Sequence, residues 1–342
     1  MTKGLKNNLL LILTALIWGC AFVAQSVGVE YVGPFTFNSV RNILGGLALL
    51  PVILLRDKLA KKEAASAMVK TSAGMNGAVK EAVMSENMAA KSEAEKKAAM
   101  SETVAAKSEA EKKQERRTLI IGGICCGFFL AVASSLQQIG LVYTTAGKAG
   151  FITALYILIV PLLGLIIGKR VGIKVWIGVA LAVMGMYCLC ITEGFTIAKG
   201  DILVMLCAVV FSFHILVIDY FSPKVDGVKM SCIQFWVCGI LCAIPMFLTE
   251  TPQIDQILAA WLPIAYAGIL SCGVAYTLQI IAQKNVDPTV ASLLLSLESV
   301  FAVLAGGIIL HESLSAKEMI GCALVFAAII LAQLPQKGKK KK

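Results

Sequence analysis

The chain has 342 residues, 58% of them hydrophobic and only 15% charged, with a formal net charge of +10. Soluble domains run near half apolar and a quarter charged, so this composition excludes an ordinary soluble enzyme, a disordered chain and a disulfide scaffold. Arg56–Arg117 alone holds ten of the 21 acids and 14 of the 31 bases, leaving 28 charges among the other 280 residues, which is the pattern of a polytopic membrane protein.

A helix needs about 20 apolar residues to cross the hydrocarbon. Ten segments qualify in chain order: 7–27, 34–55, 119–142, 146–168, 172–192, 201–220, 229–248, 261–282, 288–310 and 316–334. Joints rich in Gly or Pro separate them, among them Val32-Gly33-Pro34, Ser222-Pro223 and Asp287-Pro288. Lys3 and Lys6 precede the first segment as in a signal peptide, but the apolar run is longer than an h-region and no A-x-A site follows it. That segment is therefore expected to be retained as a span. With the N-terminus in the cytoplasm, inside segments hold 27 bases and outside segments three; without the 56–117 loop the ratio is still 13 to 3. The positive-inside rule then places both termini in the cytoplasm. Topology thus accounts for the net charge, and no nucleic-acid partner is expected.

Residues 56–118 form a cytoplasmic loop of different composition. Ala82–Lys97 and Ala98–Lys113 repeat with 13 of 16 positions identical. Ala, Lys and Glu favour helix, and a period of 16 fits no heptad, so a solvated, partly helical linker is expected. A second repeat is subtler. Lys174-Val-Trp-Ile-Gly-Val-Ala-Leu181 resembles Lys317-Glu-Met-Ile-Gly-Cys-Ala-Leu324 at an offset of 143, and Gly164 and Ile166 meet Gly307 and Ile309 at the same offset. Five spans per half force opposite orientations, the arrangement of inverted-repeat transporters with a site near the midplane. The expected fold is an all-α integral membrane protein of ten transmembrane helices in two inverted five-helix repeats, N-in and C-in. Residues 1–55 carry spans one and two, 119–192 complete the first repeat, 201–334 form the second, and 335–342 are a basic tail.

Ionisable residues in hydrocarbon are costly and each needs a reason. Glu298 lies about the eleventh residue into 288–310, close to the midplane by helical rise. It is a protonatable coupling group, a counter-charge for a cationic substrate, or a structural carboxylate paired with Arg41 or capped by hydroxyls. Arg41, about seven residues into its span, snorkels, pairs with an acid or meets an anionic substrate. Lys148 is an interfacial lysine or a cavity cation. His214 is a proton relay or a bonded helix residue. Thr153 and Tyr156 share one helix face, as do Ser292 and Ser296. Gln137, Gln138, Tyr276 and Gln279 add hydrogen-bonding groups, and Trp18 with Tyr156 could cage a cation. The 11 Cys and two His lack zinc spacing, so no metal or other cofactor is expected. No H-E-x-x-H and no nucleotide-binding G-x-x-x-x-G-K-[ST] occurs, so neither an enzyme nor an ATP-driven pump is expected.

Several segments resemble the EamA-type members of the drug/metabolite transporter superfamily. Trp18-Gly19-Cys20-Ala21-Phe22 is similar to their W-G-x-x-F signature, and Pro34–Arg41 to the opening of their second span. Leu141–Pro161 resembles their third and fourth spans. Leu297-Glu298-Ser299-Val300 with His311-Glu312-Ser313-Leu314 resembles their L-E-P-V…G-E-x-L pattern. Ser299 stands where that pattern has Pro, so the proline that would kink the helix is missing; His311 replaces a Gly. The resemblance implies a ten-helix bundle with a cavity lined mainly by spans 1, 3, 4, 6, 8 and 9. It also implies a multi-pass carrier of the cell membrane, expected in a bacterial inner or plasma membrane. The expected function is secondary transport, by export, of a small metabolite or drug-like compound through alternating access. Its partners are the bilayer and a small-molecule substrate, with proton coupling through Glu298 and no oligomeric state implied. The rival reading is a non-transporting membrane protein such as a lipid-handling enzyme or receptor. The residues expected at the site are Glu298, Lys148, Tyr156, Gln279, Gln138, Thr153, Trp18, Arg41, His214, Tyr276 and Ser296.

Overall fold

The computed structural model describes residues 3–82, 89–144, 146–166, 168, 172–190, 199–309 and 316–333. The basic tail, His311-Glu312 and the bases Lys169 and Arg170 lie outside the described residues. Among those described, the regular structure is all helical: α1 (Lys3–Gly28), α2 (Pro34–Ala82), α3 (Ala89–Leu141), α4 (Ala146–Thr153), α5 (Tyr156–Ile166), α6 (Ile173–Cys190), α7 (Lys199–Phe221) and α8 (Gly227–Thr249). The short α9 (Ile254–Ala259) and α10 (Trp261–Ala265) lead into a π-helical segment, Tyr266–Tyr276. α11 (Thr277–Gln283), α12 (Pro288–Leu295), α13 (Leu297–Ile309) and α14 (Ala316–Gln333) complete the chain.

Among the described residues seven stretches are long and apolar enough to cross a membrane: Gly4–Gly28, Glu109–Leu141, Ala146–Ile166, Lys199–Lys224, Gly227–Thr249, Trp261–Gln283 and Pro288–Ile309. The expected spans 34–55, 172–192 and 316–334 lie in α2, α6 and α14 but fall outside this set; α6 carries a shorter apolar stretch, Trp176–Gly185. The polarity of the bundle is inverted relative to a soluble protein. Leu54, Phe247, Leu248 and Ile308 are each at least 70% exposed, while Asn38, Arg41, Gln138, Gln279 and Glu298 are buried. Apolar side chains on the outside and polar ones inside suit lipid as the solvent.

The loop between the second and third expected spans continues the two helices. α2 runs on from Arg56 to Ala82, and α3 begins at Ala89. Each extension adds about 40 Å at 1.5 Å per residue. The expected linker is therefore helical over its described residues, with 83–88 outside them.

α2 packs lengthwise on α8 and is fastened at both ends. At one end the Glu250 carboxylate accepts the amides of Phe35 and Thr36, both at 2.8 Å, and the Thr36 hydroxyl at 2.6 Å. These are orphan N–H groups of the first turn of α2, capped in trans from just beyond the end of α8. At the other end Arg56 pairs with Asp226 at 3.0 Å and Lys229 with Asp57 at 2.8 Å. Asp226 also caps α8 by accepting Val228 N and Lys229 N. In the middle the Ser39 hydroxyl donates to Gly239 O at 3.0 Å. α3 packs against both α7 and α8, so these four helices form one cross-bonded block.

The opposite wall is built from interrupted helices. The α4–α5 break falls at Ala154–Leu155 and the α12–α13 break at Ser296. Thr153 and Ser296 are 143 residues apart, the offset that relates the sequence repeat. At the second break the hydroxyls of Ser292, Ser296 and Ser299 donate to the carbonyls of Thr289, Leu293 and Ser296 at 2.9, 2.7 and 2.8 Å. Three serines thus satisfy backbone acceptors around the interruption. The missing proline at 299 does not straighten the span, because the break sits three residues earlier. The π-helical segment is the third irregularity. It packs closely on α2, where a Cβ added at Gly45 would lie 2.7 Å from Cys272 Cβ and 3.0 Å from Gly268 O; only glycine permits that approach.

Glu250→Ala is expected to lower the thermal midpoint of the detergent-purified protein by an amount equivalent to about 1–2 kcal/mol, since it orphans two amides. Lys229→Ala, which breaks a pair exposed on both sides, should cost less than about 1 kcal/mol. Parallel thermal melts of the two variants check the contrast.

Candidate functional site

Between the block and the broken wall lies a partly open cavity of about 30 Å³. That is room for one or two waters, far less than the roughly 300–1,000 Å³ of a ligand-filled pocket. The space present is therefore too small for a metabolite-sized solute. α1 contributes Trp18, Phe22 and Gln25, which fall on one face by their spacing of four and seven. Arg41 comes from α2 and Gln137 from α3. Thr153 and Tyr156 flank the first helix break, and Leu295 and Glu298 flank the second. α7 supplies Phe211 and His214. The π-helical segment supplies Ser271 and Tyr276, and α11 supplies Gln279.

Tyr156 Oη donates to Glu298 Oε1 at 2.8 Å, joining the two interrupted spans across 142 residues of sequence. Arg41 Nη1 donates to Gln25 Oε1 at 2.9 Å, and its guanidinium stands 5.5 Å from the Phe37 ring centroid. Gln137 Nε2 donates to Thr153 Oγ1 at 3.0 Å. His214 Nε2 lies 3.2 Å from Gln234 Oε1, and the imidazole meets the edges of Phe211 and Tyr276. Tyr276 in turn packs on Trp18 with ring centroids 4.5 Å apart. Among the described residues four buried wall atoms have no hydrogen-bond partner: Trp18 Nε1, Arg41 Nε, His214 Nδ1 and Gln279 Oε1.

Eight residues expected at the site line this cavity: Trp18, Arg41, Thr153, Tyr156, His214, Tyr276, Gln279 and Glu298. Three lie elsewhere. Lys148 Nζ pairs with Asp201 Oδ2 at 2.7 Å, and Asp201 Oδ1 also accepts the Thr144 hydroxyl at 3.1 Å. Asp201 stands in the first turn of α7, where the helix dipole favours an acid. Gln138 donates to the backbone carbonyl of Gln25 at 3.2 Å, behind the cavity wall. Ser296 bonds its own helix. Arg41 and Glu298 do not pair; no basic side chain lies within 4 Å of Glu298 among the described residues, and its partner is a hydroxyl. α2, the expected second span, also reaches the cavity through Arg41, beyond the six spans that the resemblance implies.

Gln25 and Ser271 were not expected at the site. Gln25 was accessible from helical spacing, seven residues after Trp18. Ser271 was not. It precedes Tyr276 by five residues, about 140° away on a 3.6-residue helix. Bonding of the i→i+5 kind brings residues five apart close to one face, so both reach the cavity.

The comparisons with known proteins agree with this architecture. The model of the EamA-like transporter family matches residues 5–74, 104–191 and 198–334, leaving 75–103 unmatched between the first two. An uncharacterized transporter of Archaeoglobus fulgidus is 28% identical over 337 residues, covering 97% of this chain and 87% of its own length. An uncharacterized transporter of Methanothermobacter thermautotrophicus is 28% identical over 213 residues, 58% of this chain and 60% of its own. A protein of known crystal structure, 18% identical, superimposes with a TM-score of 0.67 over 96% of each chain and shares the fold. The chain belongs to the EamA-like transporter family of the drug/metabolite transporter superfamily and is a multi-pass membrane transporter.

Proposed function

We propose that this protein is a secondary carrier that exports a small metabolite across the cell membrane by alternating access. In this reading ten spans form two inverted halves, 1–192 and 201–334, with both termini in the cytoplasm. The helical extension between the second and third spans is an appendage on the cytoplasmic side. The observation that carries the reading is the small cavity, lined by polar and aromatic side chains, between a cross-bonded block and a wall of interrupted helices. Its free volume is too small for a metabolite, so transport requires the two sides to part on one face and then on the other. Interrupted helices supply places where backbone angles can change without breaking a full ladder of hydrogen bonds. The α2–α8 block, bonded at both ends, moves as a unit in this scheme.

Glu298 is assigned the coupling role. It is the buried acid of the cavity and sits at the second helix break. Its Tyr156 partner comes from the first half, so the bond between them is sensitive to any rocking of the halves. A proton held on this carboxyl in one state and released in the other links substrate movement to a pH gradient.

Reconstituted in liposomes, Glu298→Gln should lose all dependence of uptake or counterflow on a pH gradient while remaining folded; an unchanged response removes Glu298 from coupling. In a double-mutant cycle of Tyr156→Phe and Glu298→Gln, the melts should reveal a coupling energy of about 0.5–3 kcal/mol. Replacing Ala60–Gln114 by a short flexible linker should leave flux within about twofold of the parent. A folded but inactive deletion would give the extension an obligatory role.

A further inference from the structure

We propose that Lys148, Asp201 and the apolar cluster beneath them form a gate over the cavity at the membrane face where α4 and α7 begin; this rests on the alternating-access reading above. That face is the outer one in the topology given there. The ion pairs among the described residues differ in what they join. Arg56–Asp226 and Lys229–Asp57 hold α2 to α8 inside the block, and Lys112–Glu109 lies within α3. Lys148–Asp201 crosses the boundary, since Lys148 stands on α4 of the broken wall and Asp201 on α7 of the block. A pair inside the block survives when the two sides part at this face. A pair across the boundary does not. It favours the arrangement in which the sides touch, and a contact made in one state alone shifts the balance between states.

The contacts lie in two layers. The upper layer is polar. Asp201 accepts the Lys148 ammonium on Oδ2 at 2.7 Å and the Thr144 hydroxyl on Oδ1 at 3.1 Å. The Asp201 side chain is 5% exposed and that of Lys148 31%, so the bond sits at the edge of water. A close backbone approach seats the acid. A Cβ added at Gly200 would lie 2.8 Å from Gly140 O and 2.9 Å from Tyr143 Cβ, so only glycine permits it. The lower layer is apolar. Ala149 and Ile152 follow Lys148 by one and four residues, and Val204 follows Asp201 by three. These join Phe22 of α1 and Ala302 of α13 in one buried cluster. Gly150 lets α4 settle on it, since a Cβ there would lie 3.3 Å from Ala302 Cβ and 3.6 Å from the Phe22 ring. Phe22 belongs to this cluster and also lines the cavity. Thr153, another lining residue, is five residues, about 8 Å, below Lys148 on α4. A solute passing between α4 and α7 must first part Lys148 from Asp201 and then displace the cluster. The first step leaves a buried carboxylate without its cation, which is unfavourable. The second exposes apolar side chains to the water that enters. The polar layer thus holds the gate shut, and the apolar layer keeps water out of the cavity.

The test places Thr153→Cys in the full-length chain as a reporter. Its reaction with a charged, membrane-impermeant methanethiosulfonate added outside intact cells is followed over time. Mass spectrometry of the peptide carrying position 153 separates the introduced thiol from the native cysteines. Lys148→Gln and Asp201→Asn should each raise the reaction rate fivefold or more. Lys148→Arg keeps the charge and its donors and should stay within twofold of the parent. Lys229→Ala, which breaks a pair inside the block, should stay within twofold as well. Thermal melts establish that the variants compared are folded; if Asp201→Asn does not fold, the partly exposed Lys148→Gln decides alone. An unchanged rate on neutralising the pair overturns the gate, and so does an equal rise in Lys229→Ala, which would reflect general loosening. A rise seen only when the reagent reaches the cytoplasmic face overturns the assignment to the outer face. The labelling needs no substrate, so its failure is distinct from failure of the carrier reading, which would show as no counterflow of any solute by the parent in proteoliposomes.

Discussion

A polar group inside hydrocarbon has no water to fall back on, so each must find a partner within the protein or face a cavity. The arrangement of this molecule follows from that constraint. Asn38 donates to Ser134 O, Ser39 to Gly239 O, Gln283 to Ile215 O and Tyr156 to Glu298. Each of these bonds spans two elements far apart in sequence, and together they decide which helices touch. Among the described residues 11 buried side-chain atoms have no hydrogen-bond partner; four of them, Trp18 Nε1, Arg41 Nε, His214 Nδ1 and Gln279 Oε1, belong to residues that line the cavity between the two sides of the bundle, and the other seven lie away from it.

The two sides of that space differ in construction. α2 and α8 are continuous over their packed lengths and joined by a trans cap at one end and by ion pairs at the other. The facing wall contains two mid-span breaks and a π-helical segment of 11 residues. π-helical turns are rare and concentrate at functional sites, and breaks in membrane helices are tolerated only where protein or a cavity can satisfy the freed backbone. The serine hydroxyls at 292, 296 and 299 provide that satisfaction at the second break. A stiff block facing a deformable wall concentrates strain on the wall when the cavity must change volume.

Ion pairing follows the same logic at the membrane edges. Each of the pairs Arg56–Asp226, Lys229–Asp57 and Lys148–Asp201 has one member at the start of α8 or α7, and its side chains are partly open to the surface, where water lowers the cost of holding charge. The pair absent from the centre is the informative one. Arg41 and Glu298 share the interior without meeting, so the cavity keeps an electrostatic polarity that an internal pair would cancel.

The sequence by itself determined the solvent, the helical segments and most of the polar wall of the cavity. These depend on residue type: a stretch of apolar residues must meet lipid, and Glu298, Arg41 or Gln279 within such a stretch must turn inward. The W-G-x-x-F and L-E-S-V segments carried the family for the same reason, since both lie on helices that form the wall. What only the tertiary structure decided was partnership. By residue type Lys148 suits an interface first and a cavity second, and the fold settles its partner, since α7 brings Asp201 to within 2.7 Å. Arg41 was as good a mate for Glu298 as Tyr156 was, until the approach of the two broken spans selected the hydroxyl. Ser271 joined the wall through a local change of helical period that no 3.6-residue wheel contains. Side-chain chemistry says that a buried group needs a partner; which partner it gets is set by how helices more than a hundred residues apart come to lie side by side.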